Sequence, residues 1–449
     1  MTTRRNVLVI TADSLSAKMA GPAIRAFEIA KAMSTVADVK LASTEHSGLV
    51  HPGLEIFDTS QGGLRPLVNW ADVIVFQGHT LASFPWISRT DKLIVADIYD
   101  PMHLEQLEQS KGLSFEARVD TSAATVNVLN EQIMRADFMV CASDKQRDFW
   151  LGQIAAMGRI NPATYDHDTS VRKLIDVVPF GVQDSPPVQK RHAIKGAIPG
   201  IGVDDRVILW GGGIYNWFDP ITLIHAVESL AKRRPETKLF FLGVAHPNPN
   251  VPTMQMAHDA LQLATERGLL GKSVFFNEGW VPYEERADYL LDADVGVSTH
   301  LEHLETAFSF RTRILDYLWA SLPVVSTSGD TFAELIAKNS LGRVVAPQDV
   351  VALEEALEVL LFNDEENAAT ATRVAAFAES MKWERVLAPL LEFCRTGERA
   401  PDLAQHLKTA TNARIATLEN RVAGLEKSFS WRVTSPMRAM TTALRRLRP

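Results

Sequence analysis

The sequence predicts an α/β chain of two doubly wound parallel-sheet domains followed by a C-terminal helical tail. Three observations predict it. Short β-branched runs alternate with helix-length amphipathic segments, the runs fall into two series, and a proline-rich stretch parts the series. At 449 residues the chain is also longer than one ordinary core can serve.

The first series runs Val7–Ile10, Val39–Leu41, Val73–Phe76, Leu93–Ala96, Phe138–Val140 and Ile175–Val178. Between its first two members Ile24, Phe27, Ile29, Ala30 and Met33 give the periodicity of a helix over Ala23–Met33. After Pro186-Pro187 the second series runs Val207–Trp210, Lys238–Leu242, Val274–Phe276, Val295–Val297, Val324–Ser326 and Gly342–Val345. Helices are predicted over Val350–Phe362 and, as one piece, over Ala368–Cys394. The expected organisation is a first domain over 1–182, a linker over 183–201 and a second domain over 202–375. A crossover helix over 376–396 and a tail over 397–449 complete it. No repeat of 20–50 residues is visible, so the halves are alike in architecture only.

Bulk composition excludes several classes. Hydrophobic residues at 46% and charged residues at 22% are ordinary for a globular protein. A net charge of −8 argues against a nucleic-acid binder, whose footprint would be basic. Cys141 and Cys394 lack metal-site spacing and read as buried reduced thiols of a cytoplasmic protein. No apolar run approaches the roughly 18 residues of a membrane span, and Asn6–Ile10 is too short for a signal-peptide core.

The tail differs in character. Ile415, Leu418, Val422 and Leu425 form a coiled-coil-like stripe, read either as self-association through 413–427 or as packing on the chain's own domain. Ser428–Pro449 holds Arg432, Arg438, Arg445, Arg446 and Arg448, no acid, and interleaved Phe429, Trp431, Met437, Met440, Leu444 and Leu447. A basic amphipathic segment of this kind predicts contact with an anionic membrane surface; a solvated basic tail, or one docking on the chain's own acidic body, is the alternative.

Open parallel sheets bind ligands beyond the carboxyl ends of their strands, so candidates are sought there. After the first run, Gly21-Pro22 opens a helix, and Gly21 would let an anion approach its N-terminus; the alternative is a plain turn. After the first run of the second domain, Gly211, Gly212 and Gly213 predict a backbone cradle for a diphosphate, without the spacing of GxGxxG or a P-loop, a plain turn being the alternative. Trp217, Phe218 and Asp219 beyond it are read as core and helix cap. Within His300–Pro323, Arg311 and Arg313 suit a leaving diphosphate and Asp316 a ribose, an exposed Arg313–Asp316 ion pair being the alternative. On the first domain His79 and Asp100 each follow a strand and are candidates for the same reason; His79 can also be structural, and Asp100 before Pro101 a helix cap.

At Ile314–Val325 the chain resembles glycosyltransferase family 4, retaining GT-B enzymes that use nucleotide sugars. Asp316 stands where the family's second Glu holds ribose, and Pro323-Val324-Val325 matches the turn and strand that follow. Val178–Val182 is similar to the family's Pro-Asn-Gly-Val crossover, Gly21-Pro22 to its acceptor-side loop, and Lys382-Trp383-Glu384 to the head of its returning helix. Phe308 occupies the place of the family's first Glu, with Glu305 or Glu302 as the substitute. The family's Arg and Lys after the first strand of the second domain are also absent, leaving their work to Arg311 or Arg313. The resemblance implies an acceptor-side first domain and a nucleotide-sugar second domain.

Glycosyl transfer must stabilise a departing nucleoside diphosphate. No Asp-x-Asp motif is read in the sequence, so arginines and backbone amides are expected, with no metal and no cofactor. The expected partners are a nucleotide-sugar donor and a carbohydrate or lipid-linked acceptor, as in cell-surface polysaccharide or glycolipid assembly. The expected location is the cytoplasm, peripheral on the inner face of the membrane. A sugar-nucleotide epimerase on the same fold and an inactive partner subunit are the competing readings.

Overall fold

A computed structural model describes residues 4–244, 254–277 and 279–403, with 417, 419–424, 427, 428, 431 and 434 beyond them. Of the tail stripe only Val422 is described, and it is exposed. The arginine-rich expectation for 428–449 lies outside the described residues except at 428, 431 and 434.

The first domain carries β1 (Asn6–Thr11), β2 (Asp38–Ser43), β3 (Glu55–Asp58), β4 (Val73–Gln77), β5 (Leu93–Asp97), β6 (Phe138–Cys141) and β7 (Ile175–Val177). They pair in the order β3-β2-β1-β4-β5-β6-β7, all parallel. The second carries β8 (Arg206–Trp210), β9 (Thr237–Phe241), β10 (Val274–Phe276), β11 (Val295–Ser298), β12 (Val324–Thr327) and β13 (Gly342–Val345). Their order is β10-β9-β8-β11-β12-β13, again parallel throughout. Central strands such as β4 are buried at every position because helices cover both sheet faces. That is why they read as unbroken apolar runs. Among the described residues the one strand absent from the sequence prediction is β3, an edge strand whose Glu55 and Asp58 face solvent and break the apolar signal.

Each sheet reverses direction once, beside β1 in the first domain and beside β8 in the second. Helix Gly21–Met33 follows β1 and helix Pro220–Arg233 follows β8, so the loops 12–20 and 211–219 sit at the two switch points. The domains meet with these loops facing each other. Trp280 Nε1 donates to the Met19 carbonyl at 3.1 Å, and Gln146 Nε2 to that of Phe308 at 2.8 Å.

The chain crosses between domains twice, side by side. Val182 and Lys382 form a parallel bridge, and a Cβ on Gly181 would lie 2.7 Å from the Trp383 ring, so only glycine allows this crossing. The crossing also corrects the single helix expected over 368–394. The helix Asp364–Ala378 ends, Lys382 turns extended to make the bridge, and Pro389 sits in the first turn of a new helix over Ala388–Thr396. Phe393 then stacks on Phe138 at 4.8 Å, and Asp402 pairs with the buried Arg159. Residues 397–403 therefore belong to the body of the first domain, inside what the sequence reading gave to the tail. No described helix is long and apolar enough to cross a membrane.

Candidate active site

A cavity of about 510 Å³ lies between the domains, within the ordinary range for a small-ligand site. Gly21, His79, Asp100, Gly211, Gly212, Gly213, Arg311, Arg313 and Asp316 all line it; Glu305 does not. Two sequence-distant sets of candidates thus share one space.

The wall from the first domain starts at helix Gly21–Met33. Its N-terminus has no side-chain cap and no acid in the first turn, so its amides are open to an anion. Gly21 approaches the second domain closely, an added Cβ lying 3.9 Å from Thr312 Oγ1. His79 is exposed at the rim, at the N-terminus of the short helix Thr80–Ser83. Asp100 does not cap the helix Met102–Gln109, whose N-cap is Pro101. Its carboxyl instead hydrogen-bonds the Glu105 carboxyl, a partner the sequence reading missed. Burial first, and then the negative charge of Glu305, pushes the Asp100 pKa up to about 7. Glu105 is raised well above the carboxylate range by burial and by Asp100 and Glu305.

On the opposite wall the glycine loop is held from behind. Tyr317 Oη accepts from the Gly211 amide at 2.7 Å, so that amide is spent on the fold. A Cβ on Gly296 of β11 would meet the same ring at 2.5 Å, which is why a glycine sits there. Gly212 has φ +78 and open space where a Cβ would be, as a turn exposing its backbone to a ligand requires. Trp217 and Phe218 are buried core, and Asp219 caps the next helix through the Thr222 amide at 2.9 Å.

The two arginines two residues apart have opposite situations. Arg311 is paired: Nη1 and Nη2 donate to Glu305 Oε1 and Oε2 at 2.8 and 2.7 Å, with both residues buried. Glu305 thus holds an arginine behind the cavity wall and does not present a carboxylate to a sugar. Arg313 has no carboxylate partner. Nη2 donates to the Gly213 carbonyl at 2.8 Å, and its guanidinium lies 3.9 Å from the Phe218 ring centre and 4.4 Å from that of Trp210. Nη1 is buried without a partner, and burial brings the pKa down to about 10. A buried cation without a carboxylate carries a charge that an incoming anion would balance.

Asp316 turns away from Arg313, so the ion pair weighed in the sequence is not made. Its Oδ1 accepts from Arg286 Nε at 3.0 Å, and its side chain keeps 37% of its surface exposed to the cavity. The sequence also contains two Asp-x-Asp strings, contrary to the reading above. Asp166/Asp168 and Asp292/Asp294 both lie away from the cavity. Asp292 accepts from the amides of Ala193, Ile194 and Lys195, Asp294 from that of Val207, and Asp168 from that of Lys173. These carboxylates fasten the linker and turns.

Residues 205–363 match the family model for glycosyl transferases group 1. The match falls within the second domain. The chain is a glycosyltransferase, and similar solved structures share its two-domain GT-B fold. Sucrose-phosphate synthase from Thermosynechococcus elongatus is 15% identical, covering 87% of this chain and 98% of its own, with a TM-score of 0.62. WaaG, a glycosyltransferase involved in lipopolysaccharide biosynthesis, is 18% identical over 87% of this chain and 100% of its own, with a TM-score of 0.60. Anabaena HepE in complex with UDP and glucose is 16% identical over 87% of this chain and 99% of its own, with a TM-score of 0.58. No curated protein matches the sequence. In this glycosyltransferase Gly211–Gly213, Arg313 and Asp316 lie on the second domain, within the matched residues, and Gly21, His79, Asp100 and Glu105 face them from the first.

Proposed function

We propose that the protein transfers a glycosyl group from a nucleoside-diphosphate sugar to an acceptor seated against the first domain, with retention and without a metal ion. One observation carries the reading: Arg313 is a buried cation with no carboxylate, beside an open glycine loop and opposite an uncapped helix N-terminus. As the anomeric C–O bond breaks, negative charge grows on the diphosphate, and Arg313 and the loop and helix amides stabilise it. Asp316 takes the ribose hydroxyls. The acceptor hydroxyl bonds to the anomeric carbon on the same face that the diphosphate leaves, which keeps the configuration, and gives its proton to Asp100, whose raised pKa suits a base near neutral pH. HepE, solved with UDP and glucose, points to the same donor class.

Donor turnover decides among the readings. Transfer that survives EDTA and falls with Arg313→Ala is expected. Activity abolished by EDTA and restored by Mg²⁺ overturns the metal-free mechanism. Interconversion of free sugar nucleotides would mark an epimerase, and no donor chemistry at all an inactive subunit.

The tail supports a location at the inner face of the cell membrane, with a lipid-linked acceptor. Five arginines without an acid in 428–449, at about 1 kcal/mol each near an anionic surface, suffice for loose attachment. The full chain should sediment with anionic liposomes more than a chain ending at Lys427. Equal sedimentation removes the claim. Self-association through 413–427 is tested by analytical ultracentrifugation of the full chain against one ending at Leu403.

A further inference from the structure

Arg286 heads the helix Arg286–Leu290 and is 8% exposed on the cavity wall. Its guanidinium packs against two rings, 3.7 Å from the centre of Tyr283 and 4.4 Å from that of Trp319. Nη1 donates to the Tyr283 carbonyl at 2.7 Å and Nε to Asp316 Oδ1 at 3.0 Å. Trp319 is itself pinned, its Nε1 donating to the Ser185 carbonyl at 2.7 Å. A guanidinium packed against two rings and hydrogen-bonded through two nitrogens has little freedom, so the carboxylate it grips has little either. Only one Asp316 oxygen is engaged by Arg286, which leaves Oδ2 and a lone pair of Oδ1 for a pair of hydroxyls.

The same assembly reaches the other domain. The Tyr283 amide donates to the Ala17 carbonyl at 2.9 Å, and its hydroxyl donates to Glu28 Oε1 at 3.1 Å. Glu28 is 3% exposed on helix Gly21–Met33 and is paired with Lys31 at 3.2 Å. Burial raises the Tyr283 pKa, which keeps the hydroxyl a donor at any working pH. A continuous set of contacts therefore runs from the first domain through Tyr283 and Arg286 to Asp316.

We propose that Arg286 is the positioning residue that orients Asp316 for the donor ribose, and that Tyr283 makes this orientation depend on the first domain being closed over the cleft. The proposal rests on the reading of Asp316 as the ribose ligand. A donor would then meet its best-ordered ribose site only in the closed enzyme, so affinity and closure are coupled.

The test is titration calorimetry of the full chain with UDP, GDP, TDP and ADP, taking the tightest, and then with the form of that nucleotide whose sugar differs only at the 2′-hydroxyl. Wild type is expected to prefer the ribonucleotide. Asp316→Asn and Arg286→Gln should each cut that preference about tenfold, Arg286→Lys should restore part of it, and melting curves should show all three folded. Arg286→Gln in the Asp316→Asn background should cost nothing more, since the two act on one contact. Tyr283→Phe, which loses only the hydroxyl, should raise the donor KM several-fold with little change in kcat. If Asp316→Asn removes the preference and neither Arg286 variant moves it, the positioning role is wrong and the ribose reading stands. If Asp316→Asn leaves it intact, the ribose reading itself is wrong. An unchanged KM in Tyr283→Phe overturns the coupling to closure.

Discussion

Arg311 grips Glu305 with both terminal nitrogens, at 2.8 and 2.7 Å, while Arg313 two residues later faces no carboxylate. The pair is buried, with Arg311 5% and Glu305 1% exposed, and Asp330 lies 3.8 Å from Arg311 Nε. Removing one partner of such a pair leaves a charge in low dielectric. Arg311→Ala should therefore lower unfolding stability by about 3–5 kcal/mol, measured by urea denaturation. A variant as stable as wild type but without transfer activity would make Arg311 a diphosphate ligand after all.

Arg313 should behave in the opposite way. Its buried charge is balanced by no carboxylate, so Arg313→Met, which keeps most of the volume, should leave stability unchanged or improve it. Transfer should nevertheless fall more than tenfold, about 1.4 kcal/mol of barrier. A stable variant with full activity would take the diphosphate away from this position.

Asp100 makes stability fall as pH rises. Its pKa in the folded chain is pushed up to about 7, by burial first and by Glu305 next, against about 4 in an unfolded chain. Between those values the folded state holds a proton that the unfolded state has released, so this contribution is full below about pH 4 and lost as pH passes about 7. Asp100→Asn cannot lose a proton. Its stability relative to wild type should climb between pH 5 and 7 and level off above, followed by urea denaturation at each pH. A difference that stays flat would mean Asp100 is ionised throughout. If Asp100 takes the acceptor proton, wild-type kcat should rise across the same interval.

Gly181 sits where the two crossovers touch. A Cβ there would lie 2.7 Å from the Trp383 ring and 2.8 Å from its Cα, and backbone cannot swing aside as a side-chain end can. Gly181→Ala should cost about 1–3 kcal/mol, and the double variant Gly181→Ala, Trp383→Leu should recover little because the Cα remains. A melting temperature equal to wild type would show that the crossing has slack.

What the sequence determined by itself was the scaffold. A run such as Val73–Phe76 is apolar at successive positions because its strand is covered on both faces, and that requirement is written in adjacent residues. Gly211–Gly213 after β8 and Gly21-Pro22 after β1 marked both walls of the cleft for the same local reason. Tertiary structure alone decided what each charged group does. Arg311 and Arg313 are equivalent in sequence, yet one faces Glu305 and the other Gly213, Trp210 and Phe218. Arg286 meets Asp316 across thirty residues, and Tyr283 meets Glu28 across 255. Periodicity reports which face of an element is buried; it holds no record of which distant side chain shares that burial. In a low-dielectric interior that neighbour determines whether a charge is structural or free for a ligand.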